Sequence, residues 1–366
     1  MSDSLPQEII DAIIDELKDY KYDLKSCSLT CRSFVPQTRI HLFASIELSS
    51  NRRCQQFMAM RSSSPHDHLS AHIRSLTINF RRSDLTARHL LNVITNLTVH
   101  HITLEHLNWS NLTSDMQKAL CTSFPQIHSI SLIHTIFPDY PTVYGFLSGF
   151  PELKNLSLSD AHVLTTGDHM GHELRSVPLV GLSVVGAMSI FGLASSFSPI
   201  SLTHLRSLRF TWSVLNDLGS LKSILLAARQ NLKELVINQV PTYGVIDTGL
   251  VTEFPRDLRI KGLHRLQVEM WDCNVWGGSP EFDQLDAWID IFSGAVVENQ
   301  EQELGVWSSL DEVLSTATRS FNSLSVVIYG LQMAEAARFK EVIEGRLKRL
   351  KQRGMLDVRC KSFLSR

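Results

Sequence analysis

The chain has 366 residues, of which 43% are hydrophobic and 20% charged, and its formal net charge is -2. Such a chain can bury a core of domain size, and its near-neutral balance removes any bulk electrostatic case for nucleic acid or an anionic membrane as partner. With no apolar run of about eighteen residues and no basic leader at its start, neither a membrane span nor a secretory signal is expected. That places the protein in the cytoplasm, the nucleus or both. The six cysteines show no CxxC spacing and are expected to be reduced apolar fillers. By the same logic the glycosylation sequons at Asn96, Asn108, Asn111 and Asn155 are read as chance matches.

The first predicted elements, over residues 5 to 46, are too apolar on too many sides to form a finished domain. Pro6 suits the first position of a helix, and Ile9, Ile10, Ile13, Ile14 and Leu17 then recur at helical spacing. The stripe is wide for a surface helix. A second helical segment sets Leu24, Cys27 and Cys31 on one face, and Pro36 opens a third that carries Ile40, Leu42 and Phe43. Three short helices in about forty residues cannot bury all of this internally and call for a partner.

The series Leu5-Pro6, Glu8, Ile9-Ile10, Ile13, Leu17, Leu24, Cys27, Leu29, Cys31-Arg32, Phe34 and Leu42-Phe43 resembles the F-box, in particular the version found in large fungal F-box families. Phe34 stands where the common pattern has Trp, and an aromatic ring there keeps the packing role. The resemblance implies docking onto the Skp adaptor of a cullin-RING ubiquitin ligase. On that basis Leu5, Pro6, Ile9, Ile10, Ile13, Leu17, Leu24, Leu29 and Phe34 are the expected adaptor-binding residues. The plainer reading is a helical cap on a larger fold.

From residue 43 onward a six-residue frame, apolar-x-x-apolar-x-apolar, returns along most of the chain. Its copies are Ile73/Leu76/Ile78, Val99/Ile102/Leu104, Ile127/Ile130/Leu132, Leu153/Leu156/Leu158, Leu179/Leu182/Val184, Leu205/Leu208/Phe210, Leu232/Leu235/Ile237 and Leu263/Leu266/Val268, at steps of 26 to 31 residues. A degenerate first copy, Phe43/Ile46/Leu48, lies on the tail of the helical module, so no linker is expected between the two parts. Segments from Asp84, Thr113 and Asn216 carry helical patterns between frames, and Phe124-Pro125 and Phe150-Pro151 recur just ahead of consecutive frames, where proline ends a helix. This pattern resembles the leucine-rich repeat, which implies an α/β solenoid with a curved parallel sheet and outer helices. Three residues past each frame, where that family has Asn or Cys, stand Arg81, Leu107, Thr135, Ala161, Ala187, Ser213, Val240 and Trp271. The expected organisation is the F-box over 1-46, the solenoid over 47-330 (irregular from 269) and a C-terminal helical cap over 331-366.

Residues between the apolar frame positions face outward. In the middle repeats they are small and hydroxylated, and such a surface offers few anchors. Charge appears toward the C-terminal end, so Arg209, Glu234, Arg265 and Glu269, with Trp271 and Trp276, are the candidate target-binding residues. The interval between Val268 and the next frame, Phe321/Leu324/Val326, is about two periods long and holds four of the six tryptophans. It is either a recognition patch or packing that seals the end of the solenoid. The last segment puts Phe339, Ile343, Leu347 and Leu350 on one helical face before Gly354. Its cations Arg346, Lys348, Arg349, Lys351 and Arg353 suit the end of a helix dipole.

Catalytic patterns are missing: there is no phosphate loop, no nucleophile elbow and no paired carboxylates. The run Asp168, His169, His172, Glu173 lies between repeats with no strong helix around it and has no matching Cys partner for a metal. No cofactor, metal or enzymatic activity is expected. The two resemblances together imply a substrate-recognition subunit of an SCF-type (Skp-cullin-F-box) ubiquitin ligase, with a Skp-type adaptor, a cullin-RING ligase and an unidentified target protein as partners. Two other readings remain open. One is an adaptor-bound scaffold outside ubiquitination; the other is a small-molecule receptor like the plant hormone receptors that pair an F-box with leucine-rich repeats.

Overall fold

The computed structural model describes residues 5–63, 70–81, 85–94, 97–165, 176–186, 198–212, 217–239, 262–271, 311, 321–329 and 333–361. The chain divides into two compact units, Met1–Leu153 with Ala161–Arg175, and Lys154–Asp160 with Ser176–Arg366.

The first unit opens with helices α1 (Gln7–Glu16), α2 (Lys21–Thr30) and α3 (Val35–Phe43), the last entered through a 3-10 turn at Arg32–Phe34. Pro6 sits at the cap of α1, one residue ahead of the first helical position, and its carbonyl accepts from the N–H groups of Ile9 and Ile10. Only Ala44 separates α3 from strand β1 (Ser45–Leu48), which agrees with the absence of a linker. β1 pairs in parallel with β2 (Ser75–Asn79), β2 with β3 (His101–Glu105), and β3 with β4 (Ser129–Ile133). In that ladder Ile46 lies opposite Leu76, Leu76 opposite Ile102, and Ile102 opposite Ile130. The frame read from sequence is therefore the register of the sheet.

Helices α4 (Asn51–Ser63), α5 (Ala87–Ile94), α6 (Ser114–Thr122) and α7 (Tyr140–Ser148) alternate with these strands. Thr113 caps α6 by accepting from the Met116 N–H, and Asp139 caps α7 by accepting from the Thr142 N–H at 2.8 Å. Strands β5 (Ile136–Asp139) and β7 (His162–Thr165) form a separate parallel pair. Along β2, β3 and β4 every second side chain is buried, and Leu90, Val93, Leu120, Phe146 and Phe150 are buried as well. Trp109 belongs to this core, with its ring 5.4 Å from Phe137 and 5.2 Å from Phe146.

In the second unit, β6 (Asn155–Ser159), β9 (Gly181–Val185), β11 (Ser207–Trp212), β12 (Glu234–Gln239), β13 (Arg265–Trp271), β14 (Ser323–Tyr329) and β15 (Leu356–Lys361) pair in parallel in that order. Leu156, Leu182, Leu208, Leu235, Leu266, Leu324 and Leu356 form one continuous rung across them. A short second pair joins β8 (Val177–Pro178) to β10 (Ile200–Ser201), and α8 (Asp217–Ala228) precedes β12. β13 and β14 are direct neighbours although a long interval of chain separates them. From that interval Asp311 is buried, and its carboxylate accepts from the N–H groups of Arg349 and Leu350, both at 2.9 Å. It thereby caps the short helix α10 (Lys348–Gln352) that follows α9 (Met333–Arg346).

The C-terminal segment departs from a purely helical cap. Gly354 adopts a left-handed φ of 68° and stops α10, but the chain then returns as β15, with the period-two series Leu356, Val358, Cys360.

Both edges of the strands carry a repeating device. At the N-terminal edge one carbonyl accepts two successive N–H groups of the next repeat. In the first unit Ala44 O takes Arg74 and Ser75, Arg74 O takes His100 and His101, and His100 O takes His128 and Ser129. In the second unit the carbonyls of Lys154, Val180, Arg206, Lys233 and His264 do the same. At the C-terminal edge the chain turns through a left-handed residue: His106 and His134 in the first unit (φ 54° and 50°), Asp160 and Gly186 in the second (φ 50° and 60°). The residues that follow, Leu107, Thr135 and Ala161, are buried despite their different sizes. The turn is thus held by backbone geometry rather than by an Asn or Cys side chain.

The fold is an α/β solenoid of repeated strand–helix units behind three N-terminal helices. No helix among the described residues is long and apolar enough to cross a membrane.

Candidate functional site

The N-terminal helices are held together by a small core and by polar clips. Ile10, Ile14 and Leu24 are buried, Ile14 and Leu24 almost completely. Thr38 is buried on α3 and donates its hydroxyl to the carbonyls of Phe34 and Val35 at 2.8 and 3.0 Å. Asp15 at the end of α1 accepts from Gln37 at 2.5 Å and is hydrogen-bonded to the His41 ring at 2.6 Å, which joins α1 to α3. These bonds, that of Gln37 first, hold the Asp15 carboxyl below its usual range. Gln7 ties the start of α1 to the carbonyl of Ser33 at 2.9 Å.

With α1 fixed in this orientation its wide apolar stripe is split in two. Ile10 and Ile14 face inward, whereas Leu5, Ile9 and Ile13, each four residues apart, keep 60%, 49% and 52% of their surface exposed. On α2, Leu29 is 89% and Tyr22 86% exposed, with the Lys25 ammonium 5.8 Å from the Tyr22 ring centre. Pro6 is also exposed, and Leu17 and Phe34 are half-buried. Of the nine expected adaptor-binding residues, Ile10 and Leu24 lie in the module's interior, where they stabilise it and present nothing to a partner. Tyr22 and Ile40 belong to the exposed apolar set and were not among the nine. A hollow of about 430 Å³ beside α3 is lined by Arg32, Val35, Pro36, Arg39, Ile40 and His72.

The candidate target face divides similarly. Arg209, Glu234 and Arg265 are exposed on neighbouring strands. Arg265 donates to the Gln267 side-chain oxygen at 2.7 Å, and Gln267 in turn donates to Glu269. Glu269 is 7% exposed, so its carboxylate is engaged within the sheet and is not free for a target. The backbone of Trp271 pairs with Tyr329 at the end of β13. Trp276 and the run from Asp168 to Glu173 lie outside the described residues. Among the described residues no group of three or more His, Cys, Asp or Glu side chains is placed to hold a metal ion.

No family model matches the chain, and no curated protein matches it. What the structure offers is a scaffold of repeated α/β units, suited to protein–protein contacts, preceded by helices with a bare apolar stripe.

Proposed function

We propose that the chain is the substrate-recognition subunit of an SCF-type ubiquitin ligase, binding a Skp-type adaptor through the three N-terminal helices and a target protein through the repeats. The observation that carries this reading is the split stripe of α1. A helix that satisfies its core with Ile10 and Ile14 yet leaves Leu5, Ile9 and Ile13 bare has an apolar face for another polypeptide to cover. The order of apolar residues along α1 to α3 supports identifying that polypeptide as the Skp adaptor. The repeats are then leucine-rich repeats in a curved array. The receptor performs no chemistry of its own; it holds a target near the ubiquitin-loaded enzyme, which raises the effective concentration of the acceptor lysine. The single residue between α3 and β1 supports this role, since a long flexible tether would dilute that effect.

The test is titration of a purified Skp-type adaptor into the full chain and into an Ile9→Asp, Ile13→Asp variant. The expected result is tight binding that weakens about 30-fold or more, the outcome for loss of two buried anchors worth ~2–3 kcal/mol together. Unchanged adaptor affinity in a folded variant, or no adaptor binding by the wild-type chain, refutes the assignment.

A further inference from the structure

The residue whose carbonyl forms the fork at each strand start is basic far more often than composition predicts. In the second unit the successive positions are Lys154, Val180, Arg206, Lys233 and His264. Lys154, Arg206 and Lys233 are exposed and His264 half-buried. The same position in the first unit holds Ala44, Arg74 and His100, so a basic residue recurs there at two of the three forks. None of the Lys154, Arg206 and Lys233 side chains is in an ion pair among the described residues. Each fork fixes its residue one rung from the next, and neighbouring rungs are about 4.8 Å apart. The five positions of the second unit therefore make a strip roughly 19 Å long at the N-terminal edge of the sheet. Arg209 adds an exposed cation three residues farther along β11.

We infer that this strip, Lys154–Arg206–Lys233–His264, is the docking site for an extended acidic protein segment of about six residues, each residue spanning ~3.3 Å. It gives the target of the proposed receptor a chemical class and rests on that reading for the biological role, but not for the binding itself. Charge complementarity chooses the occupant. Exposed Glu234 interrupts the strip, which a peptide accommodates by placing a neutral residue opposite it, whereas a phosphodiester carries a charge at every step. The flanking positions Asn155, Gly181 and Ser207 are small. They leave room for a peptide backbone and supply no ring on which bases could stack.

The experiment uses the full chain without adaptor. A fluorescent ten-residue polyglutamate peptide is titrated against wild type, against Lys154→Glu, Arg206→Glu, Lys233→Glu, and against a control triple of equal charge, Arg88→Glu, Lys118→Glu, Arg229→Glu. Thermal melting verifies the fold of each. The expected result is salt-sensitive binding that the strip triple weakens at least about tenfold and the control triple less than about threefold. Equal losses in both triples, or no binding of polyglutamate by the wild type, overturn the inference. So does a ten-residue oligothymidylate that binds wild type more tightly than the peptide and is lost in the strip triple. Adaptor affinity, measured separately on the strip triple, is expected to equal that of the wild type. Its loss there would show that the strip serves the adaptor, which also overturns the inference, whereas failure of the wild type to bind adaptor concerns only the proposed ligase role.

Discussion

Neighbouring isoleucines on α1 should behave in opposite ways. Ile14 is 1% exposed and Ile13 52% exposed. Truncating a buried isoleucine to alanine removes its transfer free energy and leaves a cavity, together about 3 kcal/mol. At Ile13 roughly half of the transfer term is at stake and no cavity forms. The loss there is about 0.5–1 kcal/mol, partly offset by the better helix propensity of alanine. Hydrogen exchange of the α1 amides reads this locally, without requiring the whole chain to unfold in one step. Ile14→Ala should lower their protection about 100-fold and Ile13→Ala less than about fivefold, since ~1.4 kcal/mol corresponds to a factor of ten. Adaptor binding should show the reverse order, with Ile13→Asp the more damaging of two variants that both remain folded. Equal loss of protection at the two positions, or a greater loss at Ile13, would mean that the outward face of α1 is already covered, and the docking argument would fail with it.

Three further outcomes follow from single groups. Thr135 is fully buried and among the described residues its hydroxyl has no hydrogen-bond partner; Thr135→Val keeps the shape, removes an unpaired polar group and should stabilise by about 1 kcal/mol, raising the melting temperature by roughly 3 °C. A lower melting temperature would refute this account of the site. Cys31 is exposed and its thiol is held below the usual range by hydrogen bonding to Ser33, whereas burial pushes Cys121 up to about 11. Iodoacetamide at neutral pH should therefore label Cys31 well before Cys121, as peptide mass spectrometry would show, and the opposite order would contradict it. The Asp15 carboxyl is depressed in the folded chain, so its contribution is present above the ordinary value of 3.8 and is lost as pH falls through the lower folded value. Protection of α1 should hold at pH 5 and decline below about pH 4, and Asp15→Asn should abolish that acid-side change; an Asn variant with an unaltered acid profile would exclude Asp15 as its source.

The sheet was almost wholly legible in the sequence because its period is enforced by packing. Leu76, Ile102, Leu156 and Leu208 each lie on a rung where a polar side chain would be buried without a partner, so the frame could not drift. The inward and outward halves of α1 were not legible. Ile9 and Ile10 are equally apolar, and what rotates the helix is the set of polar clips from Asp15 and Gln7 to α3 and its entry turn, contacts between residues 22 to 26 apart in sequence. Glu269 was misread because alternation alone marks it as outward, while hydrogen bonding with Gln267 draws it in. The last strand was missed because Arg353 stands where its frame needs an apolar residue, which leaves only the short alternation Leu356, Val358, Cys360. The left-handed turns were hidden by the residues that make them, since His106, His134 and Asp160 occupy a conformation that a reader expects of glycine.

The carbonyl of Ala44, one residue past the last N-terminal helix, is already the first of the forks that repeat along the sheet edge. The helices and the first strand are therefore continuous in hydrogen bonding as well as in chain, and a boundary drawn at Ser45 would cut through a joint. A truncated protein beginning there would lose the acceptor for Arg74 and Ser75 and would leave β1 without the helix α3 that precedes it. Exchanging the three helices for another helical module would succeed only with the graft point placed beyond that first rung.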